Sequence, residues 1–319
     1  MPICATAKQT AARYSTIIFT VSGEMFWAAR RLLPGIGYIE IVSSRQLLMV
    51  DGDPAVQELV ADILKQEDRT IQGVSGGPEA LDLLRTTSYD LVVADPGRNG
   101  WDGSKLVRRV HAVRPETKVI LTGAQDPGKA IAALRAHAYS YFHKPLTPAP
   151  FAEMVRQALN SSSWEKDIQV RSARPEWVTL EVNCKMDAAE RTTQLLRELT
   201  ADLPAGFSED VTVAFHELLM NAIEHGGKSD PRKRVRVSVL RSSHSLMVHL
   251  RDPGKGFALA EMQHAAVCNP EDSPIRHVEI RAEQGQRPGG FGILMASKLV
   301  DELLYNERGN EVFFQKNIG

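Results

Sequence analysis

Short apolar segments alternate with amphipathic ones between residues 46 and 160, and the apolar segments end in polar residues. Leu47 to Val50 precedes Asp51, and Val56 to Lys65 then has its apolar residues at helical spacing. Three more strand-like runs follow: Leu91 to Ala94 before Asp95, Lys118 to Leu121 before Thr122, and Ser140 to His143 before Lys144. The alternation predicts an α/β domain over 45–160 with a parallel sheet and helices on both faces.

A second set of elements begins near residue 176. Trp177 to Val182 alternates as a half-buried strand does, and Ala188 to Leu199 has helical spacing. The next helix carries Glu217, and we expect Ser208 to cap its start. Two strand-like runs, Arg234 to Leu240 and Leu246 to Leu250, then read as a hairpin. This pattern predicts a second domain over 176–319.

The remaining segments show neither periodicity nor motif. Residues 161–175 contain consecutive serines and charges and are predicted to be a linker. Residues 1–44 mix small, polar and scattered apolar side chains, so we expect a poorly ordered N-terminal extension, with a short helix around Met25 to Leu33 as the alternative.

Length, net charge and cysteine spacing limit the classes of protein to which the chain can belong. The 319 residues suffice for two ordinary domains. A net charge of −1 gives no bulk attraction to nucleic acid or to acidic membranes, and no apolar run has the length of a membrane span. The three cysteines, Cys4, Cys184 and Cys268, follow no metal or disulfide spacing. We therefore expect a cytoplasmic protein that binds neither nucleic acid nor membrane.

The polar residues at the strand ends suit phosphoryl transfer to a carboxylate. Ligands gather at the carboxyl ends of parallel strands, so these side chains should form one cluster. A carboxylate such as Asp95 can attack a phosphoryl group when a divalent cation, a lysine and a hydroxyl neutralise the transferred oxygens.

Residues 46–160 resemble the receiver domain of response regulators, which has a five-stranded doubly wound parallel sheet. The resemblance implies that Asp95 is the phosphoacceptor, that Asp51, Asp53 and Asp95 hold Mg²⁺, and that Thr122, Tyr141 and Lys144 form the switch. It also implies a Lys144-Pro145 bond that is often cis, and an upstream histidine kinase as a partner.

Two departures from the receiver pattern leave two interpretations open. The usual pair of adjacent acids reads Asp51-Gly52-Asp53 here, and Asp95 is followed by Pro96 and then by Arg98-Asn99. Both changes affect the expected metal site. The domain is therefore either a phosphorylatable receiver or a receiver that works only as a docking module.

Three segments of the second domain carry its chemistry: Glu217-Leu-Leu-Met-Asn221, Asp252-Pro-Gly-Lys-Gly256-Phe257 and Gly289-Gly-Phe-Gly292. Glu217 and Asn221 are one helical turn apart and leave the same face of a helix. The glycines allow main-chain N–H groups to approach a ligand closely. Each segment alone is weak evidence, because such residues are common on helix faces and in turns. Their order and spacing together indicate an ATP site.

Residues 176–319 resemble the ATPase superfamily of gyrase, histidine kinases and mismatch-repair ATPases, most closely its anti-sigma-factor serine kinase branch, the RsbW type. The resemblance implies an α/β two-layer sandwich with a mixed sheet, and ATP and Mg²⁺ as cofactors. Asn221 would ligate Mg²⁺, Glu217 would orient or deprotonate the attacking hydroxyl, and Asp252 would accept from the adenine amino group. The glycines would contact the nucleotide: Gly254, Gly256, Gly289, Gly290 and Gly292. Ala258 to Pro288 would form a lid over it.

The residue that receives the phosphate decides the function. A histidine kinase needs an acceptor histidine on a dimerising helix pair, and the nearest sequence, His111-Ala-Val-Arg-Pro115, falls inside the receiver. We therefore predict a receiver-controlled serine/threonine kinase acting on a protein partner, an anti-sigma antagonist or a sigma factor. Two alternatives remain: a catalytic module that phosphorylates a histidine on another chain, and a non-catalytic binding module regulated by nucleotide. The resemblance is also compatible with a homodimer.

Overall fold

A computed structural model describes residues 45–64, 69–97, 102–161, 163–256 and 291–319. The N-terminal extension over 1–44 and the predicted lid over 258–288 lie outside these ranges. Gly289, Gly290 and the Arg98-Asn99 pair also lie outside them. The described residues form two sheets, one in each predicted domain.

The first sheet is parallel throughout, in the order β2-β1-β3-β4-β5. Its strands are β1 Arg45–Val50, β2 Arg69–Gly73, β3 Leu91–Ala94, β4 Lys118–Gly123 and β5 Ser140–His143. The helices are α1 Pro54–Leu64, α2 Gly77–Thr86, α3 Gly103–Val113, α4 Pro127–Arg135 and α5 Pro148–Asn160. The five-stranded doubly wound α/β fold is therefore confirmed.

Alternate residues of each strand enter two separate cores, one on each face of this sheet. Leu48 and Val92 pack with α2, α3 and α4, whereas Leu47 and Leu91 pack with α1 and α5. Because both faces are covered, the strands read as nearly continuous apolar runs. Polar groups are therefore confined to the strand ends, where the sheet opens.

The second sheet has six strands in the order β10-β11-β9-β8-β7-β6. Its strands are β6 Ile168–Arg174, β7 Trp177–Asn183, β8 Arg234–Arg241, β9 Ser245–Arg251, β10 Glu302–Tyr305 and β11 Glu311–Asn317. Its helices are α6 Met186–Leu199, α7 Ala205–Asn221 and α8 Gly292–Leu299, and a π-helical turn, Ala222–Gly226, extends α7. All five pairings are antiparallel, so the expected mixed sheet was wrong. Three of them join strands that are consecutive in the chain and close together, an arrangement that favours antiparallel pairing.

The helices cover one face of this sheet, which gives the expected two layers. Val178, Leu180 and Val237 of the sheet share a core with Phe215 and Leu218 of α7. The opposite face carries exposed apolar side chains at Trp177 and Leu240, which are direct cross-strand neighbours.

Two local expectations differ from the structure. The segment 161–175, expected to be a linker, contains β6, whose Ile168 and Ala173 are buried while its polar residues face outward. Ser208 does not cap α7, since that helix begins at Ala205 with Pro204 at the capping position. The Ser208 hydroxyl instead lies 2.7 Å from Thr200 Oγ1.

Helix α6 belongs to the second domain, yet it also packs against β5 at the edge of the first sheet. The two domains therefore share a buried contact as well as a chain connection.

Candidate functional site

Four strand ends of the first domain bring their polar side chains together around one lysine. Lys144, which follows β5, places its Nζ 2.8 Å from Asp95 Oδ2 and 3.0 Å from Asp51 Oδ2. Thr122 of β4 donates to Asp51 Oδ2 at 3.0 Å. The parallel sheet thus assembles the cluster that the strand ends predicted.

Burial and pairing determine the charge of this cluster. Asp51 and Thr122 are buried, and the Asp95 side chain is only 9 % exposed. Burial opposes the charged form of Lys144, but its hydrogen bonds to Asp95 and Asp51 outweigh this and raise the pKa of the amine. Lys144 therefore stays a cation against the carboxylates.

Asp53 joins the cluster despite the intervening Gly52. Its backbone N–H donates to Asp51 Oδ1 at 2.9 Å, and its Oδ2 lies 3.3 Å from Lys144 Nζ. Three carboxylates facing one ammonium leave a formal excess of negative charge, which suits a divalent cation with oxygen ligands. Across the described ranges, however, no group of three or more acidic, histidine or cysteine side chains has the geometry of a metal site. The Mg²⁺ roles of these residues stay predictions.

The other receiver positions are also defined. Gly97 N–H donates to Asp95 Oδ1 at 2.9 Å, so the loop after Pro96 turns back onto the carboxylate. The Tyr141 hydroxyl donates to the Ala124 carbonyl at 2.6 Å, and burial raises the pKa of Tyr141. The Lys144-Pro145 bond is cis, as the resemblance implied.

The candidate nucleotide site begins on α7, where Glu217 and Asn221 leave one face of the helix and meet the start of α8. A Cβ built on Gly292 would stand 2.6 Å from Glu217 Oε2 and 3.6 Å from Asn221 Nδ2. The carboxylate and the amide therefore face the first residue of α8, and a helix N-terminus suits an anionic ligand.

Asp252, directly after β9, is the second part of this site. Gly254 N–H donates to its Oδ1 at 2.7 Å, and a Cβ on Gly226 would stand 2.3 Å from its carboxylate carbon. Burial raises the pKa of Asp252, and the bond from Gly254 only partly opposes this. Sequence reasoning gave Gly226 no role here. The signal was available, because the residue follows the Asn221 segment directly.

Position 256 can hold only glycine, for two reasons. Its φ of +83° lies in the region that glycine tolerates best, and a Cβ would fall 1.8 Å from the Arg308 carbonyl oxygen. Arg308 Nε donates to the Lys255 carbonyl at 3.1 Å, and Asp252 N–H donates to the Asn310 carbonyl at 3.0 Å. The turn before β11 therefore supports the glycine loop, and no sequence motif identified Arg308 or Asn310.

The first domain has a parallel receiver-type sheet with an acidic cluster. The second has a layer of helices on a sheet, with a carboxylate, an amide and a glycine loop. Together they define a two-domain signal-transduction protein. Comparison with known families agrees. The Histidine kinase-like ATPase domain matches residues 156–316, half of the chain, and the chain belongs to that family. The Response regulator receiver domain matches residues 47–156. An ATPase domain of this kind implies ATP binding.

Curated relatives match the receiver portion. The chain is 30% identical over 128 residues to the transcriptional regulatory protein GlrR of Escherichia coli, covering 40% of this chain and 29% of that protein. It is also 30% identical over 124 residues to the DNA-binding response regulator MtrA of Mycolicibacterium smegmatis, covering 38% and 53% respectively. The chain therefore spans about half or less of the length of these relatives.

Solved structures also match over the receiver. A CheY-like receiver domain protein from Methanospirillum hungatei is 25% identical, with a TM-score of 0.34, and the match covers 37% of this chain and 95% of that one. A response regulator from Chloroflexus aurantiacus is 27% identical, with the same TM-score, over 37% and 99%. Within the described part of the chain, no helix is both long and apolar enough to cross a membrane.

Proposed function

We propose that the chain is a receiver-controlled, ATP-dependent kinase that phosphorylates a serine or threonine of a separate protein. In this proposal the second domain is of the RsbW type, and its cytoplasmic partner is an anti-sigma antagonist or a sigma factor. The observation that supports the proposal is that Glu217 and Asn221 both face Gly292. A carboxylate and an amide thus lie beside the start of a helix, which suits an anionic ligand.

Each residue of the nucleotide site then has a chemical task. The Asn221 amide oxygen is a hard ligand suited to Mg²⁺, which would neutralise the phosphate charges. Glu217 would accept the proton of the attacking hydroxyl. Asp252, held by Gly254 N–H, would use its remaining oxygen to accept from the adenine amino group. The glycine loop would keep the backbone close to the base.

A hydroxyl acceptor is favoured over histidine because the one histidine with a suggestive context is packed inside the receiver. His111 lies on α3 with its ring 5.7 Å from that of Trp164, and its buried Nε2 has no hydrogen-bond partner among the described residues. Burial also lowers the pKa of His111. The packing of His111 disfavours this ring as a phosphoacceptor, which supports an acceptor on a separate protein.

The test is phosphotransfer from labelled ATP with Mg²⁺ and candidate partner proteins. We expect an acid-stable, alkali-labile phosphoprotein that disappears when Glu217→Gln replaces the wild type. Glu209→Gln is the matched control, since Glu209 is an exposed acid on the same helix. An acid-labile, alkali-stable product would identify a histidine acceptor and overturn the serine/threonine assignment.

A second measurement separates catalysis from simple binding. If the domain is only a nucleotide-regulated binding module, Glu217→Gln should keep its effect on the partner in a sequestration assay. If the domain is a kinase, the same substitution abolishes its effect on the partner and changes its affinity for ATP by a smaller factor. Titration of both variants with ATP and with partner therefore distinguishes the two classes.

A further inference from the structure

Helix α6 takes the place of a neighbouring strand at the edge of the receiver sheet. β5 is the terminal strand, and backbone groups of Tyr139, directly before it, and of Tyr141 and His143 within it bind side chains of α6. The bonds join Arg191 Nε to the Tyr139 carbonyl (2.9 Å), Gln194 Nε2 to the Tyr141 carbonyl (3.2 Å) and His143 N–H to Glu198 Oε2 (3.2 Å). Positions 191, 194 and 198 share one helix face, so the helix matches the spacing of the strand.

These contacts are buried polar contacts, which makes them specific. Arg191, Gln194 and Glu198 are each at most 7% exposed. The Arg191 guanidinium also lies over the rings of Tyr139 and Trp164, at 4.4 and 5.2 Å. Buried polar groups are tolerated only when their hydrogen bonds are made, so a small displacement of α6 along β5 would carry a high cost.

One end of this contact lies beside the phosphoacceptor cluster. Glu198 Oε2 accepts from His143 N–H and also lies 3.0 Å from His143 Nδ1. The next residue is Lys144, whose amine contacts Asp95 at 2.8 Å. Glu198 therefore holds the backbone immediately before the lysine that contacts Asp95.

The other side of α6 contacts α7, the helix that carries Glu217. Thr193 Oγ1 is 3.3 Å from His216 Nδ1, and Glu190 Oε1 is 3.9 Å from His216 Nε2. His216 immediately precedes Glu217 on α7. One helix thus contacts the residue before Lys144 and the residue before Glu217.

We propose that Glu198 is a positioning residue for the receiver cluster, and that α6 couples that cluster to the nucleotide site through Glu198 at one contact and Thr193 at the other. The proposal deepens the function proposed above and rests on it only in requiring that nucleotide bind the second domain. Coupling of this kind is reciprocal, so nucleotide binding must alter the β5 end just as occupancy of Asp95 alters the nucleotide site.

Hydrogen exchange read by mass spectrometry tests this on the full chain with Mg²⁺ and a non-hydrolysable ATP analogue. In the wild type we expect the analogue to slow exchange over 252–256 and also over 139–146, the latter by at least about fivefold, the lower end of typical coupling between sites. Glu198→Gln and Thr193→Val should lose the change over 139–146 and keep the change over 252–256. Glu153→Gln, which removes an exposed charge on α5, should behave as the wild type.

The outcomes separate coupling from a purely structural role. Faster exchange over 139–146 in Glu198→Gln, with an unchanged response to the analogue, would mean that Glu198 only stabilises the contact, and it would overturn the proposal. Protection over 252–256 without any change over 139–146 in the wild type would also overturn it. Absence of protection over 252–256 would instead refute the proposed nucleotide site, and the coupling with it.

Discussion

The receiver cluster and the candidate nucleotide site differ in what their functional side chains contact. In the receiver, the functional side chains bind one another: Lys144 contacts three carboxylates, and Thr122 donates to Asp51. In the nucleotide site, Glu217 and Asn221 face the start of α8, and the glycines supply space and backbone rather than side chains. The first site is held together by its own ion pairs, whereas the second leaves space at its glycines.

This difference implies different sensitivities. Removing a charge from the receiver cluster leaves like charges buried together, so the fold itself should suffer. Adding a methyl group at a glycine of the nucleotide site should affect either the backbone or the ligand, depending on what the new group meets. The predictions below test this contrast, beginning with the largest expected effect.

Lys144→Met should have the largest effect. It removes the ammonium that contacts Asp51, Asp53 and Asp95, and we expect a loss of about 3 kcal/mol in the free energy of unfolding. Urea denaturation measures the loss. Added Mg²⁺ should restore part of it, because a divalent cation replaces the missing positive charge.

Lys105→Met is the matched control, because Lys105 pairs with Asp102 at 3.9 Å on the exposed surface. Such a pair contributes about 0–1 kcal/mol. Equal losses in the two lysine variants would show that the receiver cluster is not the buried electrostatic unit described above.

Gly256→Ala should come next and should act on the backbone. The residue would have to keep a φ of +83° with its Cβ 1.8 Å from the Arg308 carbonyl oxygen, so the loop must move. A loss of about 2 kcal/mol or more in the free energy of unfolding is expected. Gly206→Ala on α7 is the control, since a Cβ there meets no atom within 4 Å. Unchanged thermal melting of Gly256→Ala would contradict the prediction.

Gly292→Ala should leave the stability of the fold unchanged and weaken nucleotide binding. The new Cβ would meet Glu217 Oε2 at 2.6 Å, and the end of a flexible side chain can move aside. Displacing Glu217 should lower ATP affinity about tenfold, or about 1.4 kcal/mol, as measured by calorimetric titration. Gly128→Ala, on α4 of the receiver, sets a Cβ 3.1 Å from Asp126 Oδ1 and should bind ATP normally.

The smallest effect concerns pH. The hydrogen bond that His143 makes to the Glu198 carboxylate raises the pKa of His143, although burial and the Arg197 charge oppose this. Because the folded pKa exceeds the unfolded value, the pair stabilises the fold below the ordinary histidine range, and this stabilisation is lost as pH rises through the folded pKa. Unfolding measured between pH 5 and 8 should show a decline that Glu198→Gln reduces. An identical pH profile in that variant would refute the pairing.

The receiver cluster was predictable because the carboxyl ends of parallel strands all lie at the same edge of the sheet. Asp51, Asp95, Thr122 and Lys144 each follow or end an apolar run, and the sheet brings them together. The position of Asp53 was harder to judge from sequence. Its carboxylate reaches Lys144 because the chain turns at Gly52 so that Asp53 N–H binds Asp51.

Other features had no sequence signal strong enough to read. β6 resembles a linker in sequence because it carries two arginines, a glutamine and a serine, and its pairing with β7 is irregular between Val170 and Ser172. The contact made by α6 was missed for a related reason. Arg191, Gln194 and Glu198 form a polar stripe, which normally faces water, and only the edge of another domain explains their burial.

The covered edge of β5 also decides how the chain can be divided. Edge strands with unpaired backbone groups are templates for pairing with other chains, and proteins protect them. A receiver cut out at residue 160 would lose Arg191, Gln194 and Glu198, and would uncover Tyr139 and the β5 backbone. The boundary between the two sequence families is therefore not a safe place to cut. The excised receiver would expose an edge strand that can pair with other chains. The two domains should therefore be expressed and studied together.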